Sequence, residues 1–294
     1  MNITNDRPCP ACGLGNGRLE GVKNGFEIFV CRGCKSIYSG HIPSLSEAQD
    51  YDEYYTDENL SVPDFINIRV REIVDGFAAF RETNRLLDIG FGAGNILEAA
   101  EEKEWEVYGQ EVSKPAVEQA AERGYKVFHG DLTEAAYPDN YFDVVTASEI
   151  LEHLPNPENV LSEIVRILRP GGLFWGTTPS AGGLSFKLLK LKWSTIGPPE
   201  HTQLYSKKGL EIMLKKAGFP HFVFKTFGLN PNEIVNHFHP SRNTGNFNPG
   251  ETGYRLNESL TKNPFRKMIK SGLNNTLNLL QIGDSLKIFA RTKK

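Results

Sequence analysis

The sequence predicts an α/β protein with a doubly wound parallel sheet, preceded by a small cysteine-rich module. From Arg85 onward, short apolar segments alternate with helix-length amphipathic segments, which is typical of parallel strands joined by crossover helices. All four cysteines lie near the N-terminus as two Cys-x-x-Cys pairs. A chain of 294 residues is long enough for one large domain and one small module.

The N-terminal residues 1–45 are predicted to form a zinc-ribbon-like module. Two thiolates three residues apart can hold one metal ion from a tight turn, and eighteen residues separate the two pairs, which suits a tetrahedral zinc site. Two disulfides or four unrelated thiols are the alternatives; disulfides are disfavoured because no export signal is recognisable. Four thiolates leave no open coordination position, so we expect a structural zinc ion. Its ligands would be Cys9, Cys12, Cys31 and Cys34.

Composition restricts the functional classes. The formal net charge is −3, whereas a dedicated nucleic-acid binder usually has a basic excess. No apolar run approaches the roughly 18 residues of a membrane helix. We therefore expect a cytoplasmic protein without a membrane span, for which a nucleic-acid partner is disfavoured.

A helical lead segment is predicted at 46–84, with a tyrosine-rich stretch at 51–55 and a helix from about 63 to 80. Residues 85–294 are predicted to form the main domain, in which an insertion at 228–264, rich in Asn, Pro and Gly, is interpreted as a lid or substrate-shaping segment. Seven strands are predicted, at 86–89, 106–112, 125–128, 142–147, 173–177, 222–227 and 285–291. Helices are predicted at 95–103, after Ser113, at 157–168, where Pro170-Gly171-Gly172 ends the segment, and at 207–216.

The most informative motif is Asp88-Ile89-Gly90-Phe91-Gly92-Ala93-Gly94, at the junction of the first strand of the main domain and the following helix. Its glycines allow a sharp turn and close approach of a ligand. The dinucleotide-binding fingerprint Gly-x-Gly-x-x-Gly/Ala does not match this segment, because its third small residue would stand at position 95, which is Asn95. Asp88 would repel a pyrophosphate but would attract the ammonium and sulfonium groups of S-adenosylmethionine (SAM). The sign of the charge therefore favours SAM over NAD.

Two further acidic residues follow the next strands. Glu111 ends the second strand, about 20 residues beyond the glycine loop, where a carboxylate can accept from both ribose hydroxyls. Asp131 follows the third strand and could accept from the adenine amino group. Three acids at the carboxyl ends of successive strands predict a ligand crevice at the point where the strand order reverses.

Residues 85–227 resemble class I SAM-dependent methyltransferases, of the broad group called type 11 or type 23. The resemblance rests on the glycine motif and on later segments, which are Phe142-Asp143-Val144-Val145, 148–154, 168–172 and 283–288. It implies a Rossmann-like seven-stranded sheet of order 3-2-1-4-5-7-6, with strand seven antiparallel. It also implies a set of SAM-binding residues, which are Tyr55, Asp88, Gly90, Gly92, Gly94, Glu111, Asp131, Leu132 and Ser148.

Two histidines are candidate catalytic residues. An oxygen or carbon nucleophile benefits from a general base, and His153 and His201 lie in loops after the fourth and fifth strands. A second interpretation concerns the acidic residues beside His153. In ubiquinone-type O-methyltransferases, the residues equivalent to Glu149, Glu152 and His153 can hold a divalent cation. Bracing of the loop is the alternative role for Glu149 and His153.

The methyl acceptor is predicted to be a small molecule, such as a sugar, a lipid-linked precursor or a secondary metabolite. The alternative is an RNA or protein methyltransferase whose zinc module docks the macromolecule, which a basic face of Arg18, Lys23, Arg32 and Lys35 would favour. The basic amphipathic segment 186–193 is interpreted either as a contact for an anionic substrate or as a solvated helix face.

Overall fold

The computed structural model describes residues 7–15, 17–44, 50–55, 60, 64–239, 255–256, 258–260 and 264–294. Of the predicted insertion 228–264, residues 240–254, 257 and 261–263 lie outside this description, so its role as a lid stays a prediction.

The described residues form a seven-stranded sheet in a mixed α/β arrangement. Its strands are β4 (Arg85–Ile89), β5 (Glu106–Glu111), β6 (Lys126–His129), β7 (Phe142–Ser148), β8 (Leu168–Pro179), β10 (His221–Phe227) and β11 (Ser285–Arg291). The order is β10-β11-β8-β7-β4-β5-β6, and the neighbours from β6 to β8 are parallel. When these seven strands are numbered 1 to 7 in chain order from β4, the order reads 6-7-5-4-1-2-3. This is the predicted order 3-2-1-4-5-7-6 read from the other edge, so the predicted strand order is confirmed.

A second, four-stranded sheet contains the N-terminal segment. Its strands are β1 (Gly17–Lys23), β2 (Phe26–Cys31), β3 (Ile37–Ser39) and β9 (Gln203–Leu204), in that order. The fourth strand comes from far along the chain, since Ile37 pairs with Leu204 and Tyr38 with Gln203. The sequence did not predict this partner for β3.

From β4 onward most strands are separated by helices. The helices whose bounds are assigned are α1 (Tyr51–Tyr54), α2 (Asp64–Asp75), α3 (Asn95–Glu101), α4 (Lys114–Glu122), α5 (Pro157–Ile167), α6 (Leu184–Leu189), α7 (Lys207–Ala217), α8 (Pro231–Phe238) and α9 (Pro264–Leu280), and residues 255–256 and 258–260 are also helical. Among the described residues, no helix combines the length and the apolar character needed to cross a membrane.

Two element boundaries differ from the prediction by more than two residues. The helix expected to reach residue 80 ends at Asp75, and a 3₁₀ turn at Ala78–Phe80 follows it. Strand β8 begins at Leu168 instead of residue 173, because the pairing shifts register between Phe142–Leu168 and Val144–Leu173. This irregularity accommodates the Pro-Gly-Gly stretch inside the strand, where the sequence predicts a break between helix and strand.

The chain divides into two compact units. The first comprises Met1–Ser46, Thr178–Leu210 and Phe224–Lys287, and the second comprises Glu47–Thr177, Glu211–Val223 and Ile288–Lys294. The first unit has a buried apolar cluster of Phe26, Ile28, Ile37, Ala181, Phe186, Leu189, Trp193, Ile196 and Leu204. A buried apolar cluster in the second unit includes Leu86 of β4 and Val107 of β5, together with Leu97, Val144 and Trp175.

Asp143 on β7 fastens the turn that precedes β4. Its carboxylate is fully buried and accepts the backbone N–H groups of Glu82, Thr83 and Asn84 at 2.9, 2.8 and 2.7 Å. The guanidinium of Arg169 donates to the same carboxylate. Burial alone would raise the pKa of Asp143, but these hydrogen bonds outweigh it and hold the pKa below its usual value.

We expect Asp143→Asn to lower the free energy of unfolding by about 2–3 kcal/mol at neutral pH, because a buried charged acceptor with four donors loses its charge. A carboxyl whose pKa is lowered by folding stabilises the fold at pH values above its unfolded-state pKa of about 3.9. This stabilisation is lost as the pH falls through the folded-state pKa. The difference between variant and wild type should therefore shrink in acid. Denaturant unfolding at several pH values measures it.

Asp139→Asn is the matched control, because the Asp139 side chain is 69% exposed although it pairs with Arg166. Asp139→Asn should lower the free energy of unfolding much less than Asp143→Asn does. Equal losses for the two variants would contradict the role given to Asp143.

Candidate functional site

The glycine loop joins β4 to α3 and has a backbone that only glycine adopts easily. Gly90 and Gly92 have φ angles of 62° and 52°, in the left-handed region. A Cβ atom at Gly90 would collide with Cδ1 of Ile150, and one at Gly92 would lie 2.6 Å from the hydroxyl of Tyr55. The loop therefore requires glycine at both positions, for its conformation and for its close neighbours.

Asp88 lies on β4 just before this loop and is 3% exposed. The hydroxyl of Thr146, its neighbour on β7, donates to its carboxylate at 2.6 Å. Burial raises the pKa of Asp88 to about 7; the Thr146 hydrogen bond opposes this rise and the charge of Glu111 adds to it. A cation bound beside Asp88 would favour the ionised form.

Glu111, at the end of β5, connects two loops of the site. One carboxylate oxygen accepts from Gly92 N at 2.9 Å, and the other accepts from Val112 N and Ser113 N at 2.7 and 3.1 Å. The residue is 4% exposed. This carboxylate therefore fixes the glycine loop against the segment that leads into α4.

Tyr55 lies over the glycine loop, as its approach to Gly92 shows. Burial first, and then the nearby carboxylates of Glu111 and Asp88, raise the pKa of Tyr55, so its phenol stays protonated. The preceding helix α1 is attached to α4, because the Asp52 carboxylate accepts from Lys114 N at 2.8 Å. This contact satisfies an N–H of the first turn of α4.

The remaining predicted cofactor residues follow the carboxyl ends of β6 and β7. Asp131 is exposed and its backbone N–H donates to Glu134, whereas Leu132 is buried. Ser148 ends β7, and its hydroxyl lies 2.9 Å from that of Thr177. Since β4 to β7 are parallel, these residues share one edge of the sheet with the glycine loop. The contacts described above join Tyr55 and Glu111 to Gly92. Asp88 contacts Thr146, and its charge acts on Tyr55 together with that of Glu111.

The two candidate catalytic histidines have defined partners. The hydroxyl of Tyr51 lies 3.3 Å from Nδ1 of His153, in the second unit. His201, in the first unit, places Nδ1 2.7 Å from the carbonyl oxygen of Thr195. Because a carbonyl only accepts, Nδ1 of His201 carries a proton, and Nε2 is the nitrogen able to take one up.

The four cysteines form one compact group in the first unit. Their sulfur atoms lie within 4.8 Å of one another, and the pairs Cys9–Cys34 and Cys12–Cys31 are 3.6 and 3.4 Å apart. These distances are too long for disulfide bonds. Zinc–sulfur bonds of about 2.3 Å in a tetrahedron place the sulfur atoms about 3.8 Å apart. The arrangement therefore fits a metal ion with four thiolate ligands.

Sequence reasoning missed three residues that support the site, which are Tyr51, Asp52 and Thr146. Thr146 reaches Asp88 because the register of β4 and β7 sets them side by side, and parallel register is not encoded in local sequence. Asp52 and Tyr51 belong to the tyrosine-rich stretch, in which only Tyr55 is predicted to contact the cofactor.

Residues 65–220, more than half of the chain, match the family described as "Methyltransferase domain". A stretch of 128 residues is 37% identical to 27-O-demethylrifamycin SV methyltransferase of Amycolatopsis mediterranei (strain S699), covering 40% of this chain and 47% of that protein. Another, of 96 residues, is 38% identical to the ubiquinone biosynthesis O-methyltransferase of Aeromonas salmonicida (strain A449), covering 30% and 40%. The chain thus spans less than half the length of these two relatives.

The fold is also similar to a solved structure. A SAM-dependent methyltransferase from Archaeoglobus fulgidus superposes with a TM-score of 0.55 at 20% identity, over 83% of this chain and all of that chain. At this identity the likeness concerns the fold alone.

Proposed function

The chain belongs to the methyltransferase domain family, and from this premise we propose that it transfers a methyl group from SAM to an oxygen atom of a small-molecule acceptor. The observation that carries the cofactor assignment is the pair of buried carboxylates, Asp88 and Glu111, beside a glycine loop with no room for a side chain at Gly90 or Gly92. The acceptor class is supported by the names of the two relatives, 27-O-demethylrifamycin SV methyltransferase and ubiquinone biosynthesis O-methyltransferase.

The residues fit SAM chemically. Asp88 would attract the cationic part of the cofactor, Glu111 would accept from the ribose hydroxyls, and Asp131 from the adenine amino group. The protonated phenol of Tyr55 would close the site over the loop. SAM supplies a methyl group on a sulfonium with a neutral leaving group, so positioning of the acceptor accounts for much of the rate.

An acceptor hydroxyl must also lose its proton. We assign this role to Nε2 of His201, because the hydrogen bond to Thr195 fixes its tautomer, with His153 as the alternative base. The contact between Tyr51 and His153 supports a bracing role for His153 more directly than it supports a divalent cation at Glu149, Glu152 and His153.

We also propose that Cys9, Cys12, Cys31 and Cys34 hold a structural zinc ion. A site with four thiolates is coordinatively closed, so the ion would stabilise the N-terminal sheet and take no part in methyl transfer.

Two contacts support a small acceptor over an RNA or protein docked on the ribbon. Arg18 pairs with Glu20 at 2.5 Å, and Lys23 Nζ donates to the carbonyl of Trp193 at 2.7 Å. Two of the four cations of this alternative docking face are thus engaged within the protein.

We expect S-adenosylhomocysteine, which keeps the ammonium group, to bind about tenfold more tightly at pH 8 than at pH 6. The ligand favours ionised Asp88, whose pKa in the free protein is raised to about 7. Binding below pH 7 should release a proton. Calorimetric titration in two buffers of different ionisation enthalpy measures both effects, and NAD should give no heat.

Asp88→Asn is the control, because it keeps the shape of the side chain and removes the titration. Its affinity should be lower and nearly independent of pH over the same range. A flat pH profile in the wild type would count against the role of Asp88, and tight NAD binding would overturn the cofactor assignment.

A further inference from the structure

Residues 193–202, which lie between α6 and β9 in the first unit, form the loop that carries His201. Inside this His201 loop, Nδ1 of His201 lies 2.7 Å from the carbonyl oxygen of Thr195, and the backbone N–H of His201 donates to the carbonyl of Gly197 at 3.1 Å. The first bond fixes which ring nitrogen carries the proton. Both bonds are internal to the loop, so they orient His201 only if the loop itself is held in place.

The tip of the β1–β2 hairpin holds the first part of the His201 loop. Nζ of Lys23 donates to the carbonyl oxygen of Trp193 at 2.7 Å, and Nδ2 of Asn24 donates to that of Pro198 at 2.8 Å. These two carbonyls lie on either side of Thr195 in sequence. The hairpin tip therefore holds the stretch of backbone that supplies the acceptor for Nδ1 of the histidine.

Asn24 suits this contact because of the turn in which it lies. Lys23 pairs with Phe26, so Asn24 and Gly25 form a two-residue hairpin turn, and their φ angles are 51° and 83°. Asn followed by Gly is the sequence that such left-handed turns favour. The same residue thus forms the turn and directs an amide donor at the His201 loop.

The N-terminal sheet also holds the end of the loop. The backbone N–H of Ser39, at the end of β3, donates to the carbonyl of Thr202 at 2.8 Å, directly after His201. The guanidinium of Arg7 donates to the Ser39 hydroxyl at 2.9 Å and to the side-chain oxygen of Gln203. His201 therefore lies between two points of attachment to the N-terminal sheet, at Pro198 and at Thr202.

We propose that Lys23 and Asn24 are positioning residues for His201, which hold its loop so that Nδ1 keeps the proton and Nε2 is the nitrogen that accepts one. The catalytic consequence rests on the function proposed for His201, whereas the positioning itself does not. A displacement of about 1 Å in a catalytic group costs on the order of a hundredfold in rate. The proposal gives the hairpin a role in the reaction although its side chains touch no reacting atom.

Nuclear magnetic resonance of the full chain with ¹⁵N-labelled histidine tests the proposal, because the two neutral tautomers of imidazole give different ¹H–¹⁵N correlation patterns. A His201→Gln protein identifies the His201 signals among those of the seven histidines. In alkaline solution the wild-type His201 should carry its proton on Nδ1. Asn24→Gly keeps the left-handed turn and removes the donor, so the ratio of this tautomer to the other should fall by about three- to tenfold.

A second pair of variants tests the other contact of the hairpin tip. Lys23→Met keeps the apolar stem of the side chain and removes the donor to Trp193, so it should change the tautomer ratio in the same direction. Arg18→Met is the matched control, because Arg18 lies on the same strand and pairs with Glu20 of that strand. It should leave the His201 signals as in the wild type. Asn24 is exposed, so Asn24→Gly should unfold at nearly the wild-type temperature.

Titration with S-adenosylhomocysteine separates this proposal from the proposed function. The cofactor residues belong to the second unit, so Asn24→Gly and Lys23→Met should bind this ligand like the wild type. If both variants kept the wild-type tautomer, or if wild-type His201 carried its proton on Nε2, the positioning role would be overturned. If the wild type did not bind S-adenosylhomocysteine, the proposed function would be contradicted, whereas a tautomer change in the two variants would still support the positioning role.

Discussion

Removal of the proposed zinc ion from the four-cysteine group should unfold the N-terminal four-stranded sheet. Strands β1 to β3 are short, and the group joins the turn at Cys9 and Cys12 to the turn at Cys31 and Cys34. The binding free energy of a structural zinc ion, about 10–16 kcal/mol in small domains, is folding free energy there. We expect Cys12→Ser, or a strong chelator, to abolish cooperative unfolding of this sheet.

Trp193 reports this event. It is 3% exposed in the apolar cluster that contains Phe26, Ile37 and Leu204, so its fluorescence should shift to longer wavelength when the sheet unfolds. Subtracting the signal of a Trp193→Phe protein isolates its contribution. Metal content by mass spectrometry of the purified protein should be one zinc ion per chain.

Cys12→His is the matched control, because imidazole is a zinc ligand and Cys12 is the least buried of the four cysteines. It should retain the metal and the blue-shifted fluorescence that Cys12→Ser loses. An intact sheet in metal-free protein would contradict the structural role.

The second large effect is expected for Glu111→Ala, which should weaken S-adenosylhomocysteine binding about a thousandfold. The variant loses the acceptor for the ribose hydroxyls, and hydrogen bonds to charged groups contribute about 1.5–3 kcal/mol each. It also leaves the N–H groups of Gly92, Val112 and Ser113 without their carboxylate, so the glycine loop loses its anchor. Calorimetric titration measures the change.

Two variants separate these contributions. Glu111→Gln keeps the length and one acceptor oxygen and should have an intermediate affinity. Glu118→Ala removes an exposed glutamate that pairs with Lys114 on α4, and it should bind like the wild type. If Glu111→Ala bound normally, the ribose assignment would be wrong.

Much of the sheet could be predicted from sequence because its signals are local. Each of β4 to β7 is a short apolar segment bounded by a turn or a capped helix, and the glycine motif marks the switch point of the sheet. The strand order followed from the family resemblance and not from periodicity. The positions of Asp88 and Glu111 at strand ends were predicted from these local strand signals. Their roles toward SAM stay predictions.

The features that sequence did not predict depend on contacts between distant residues. Strand β9 is only Gln203–Leu204, and nothing in two residues indicates that they pair with β3. Helix α9 was missed because it follows the Asn-, Pro- and Gly-rich stretch. Thr146 could not be assigned to Asp88 without the register of β4 and β7.

The pairing of β3 with β9 has a consequence for how the protein is made. The hydroxyl oxygen of Ser36, next to β3, accepts a hydrogen bond from the backbone N–H of Ser206, which is 170 residues further along the chain. At a synthesis rate of about 5–20 residues per second, the ribosome needs about 10–30 s to deliver this partner. During that interval β3 is an open strand edge in the nascent chain, so metal capture by the two cysteine turns would precede completion of the sheet around them.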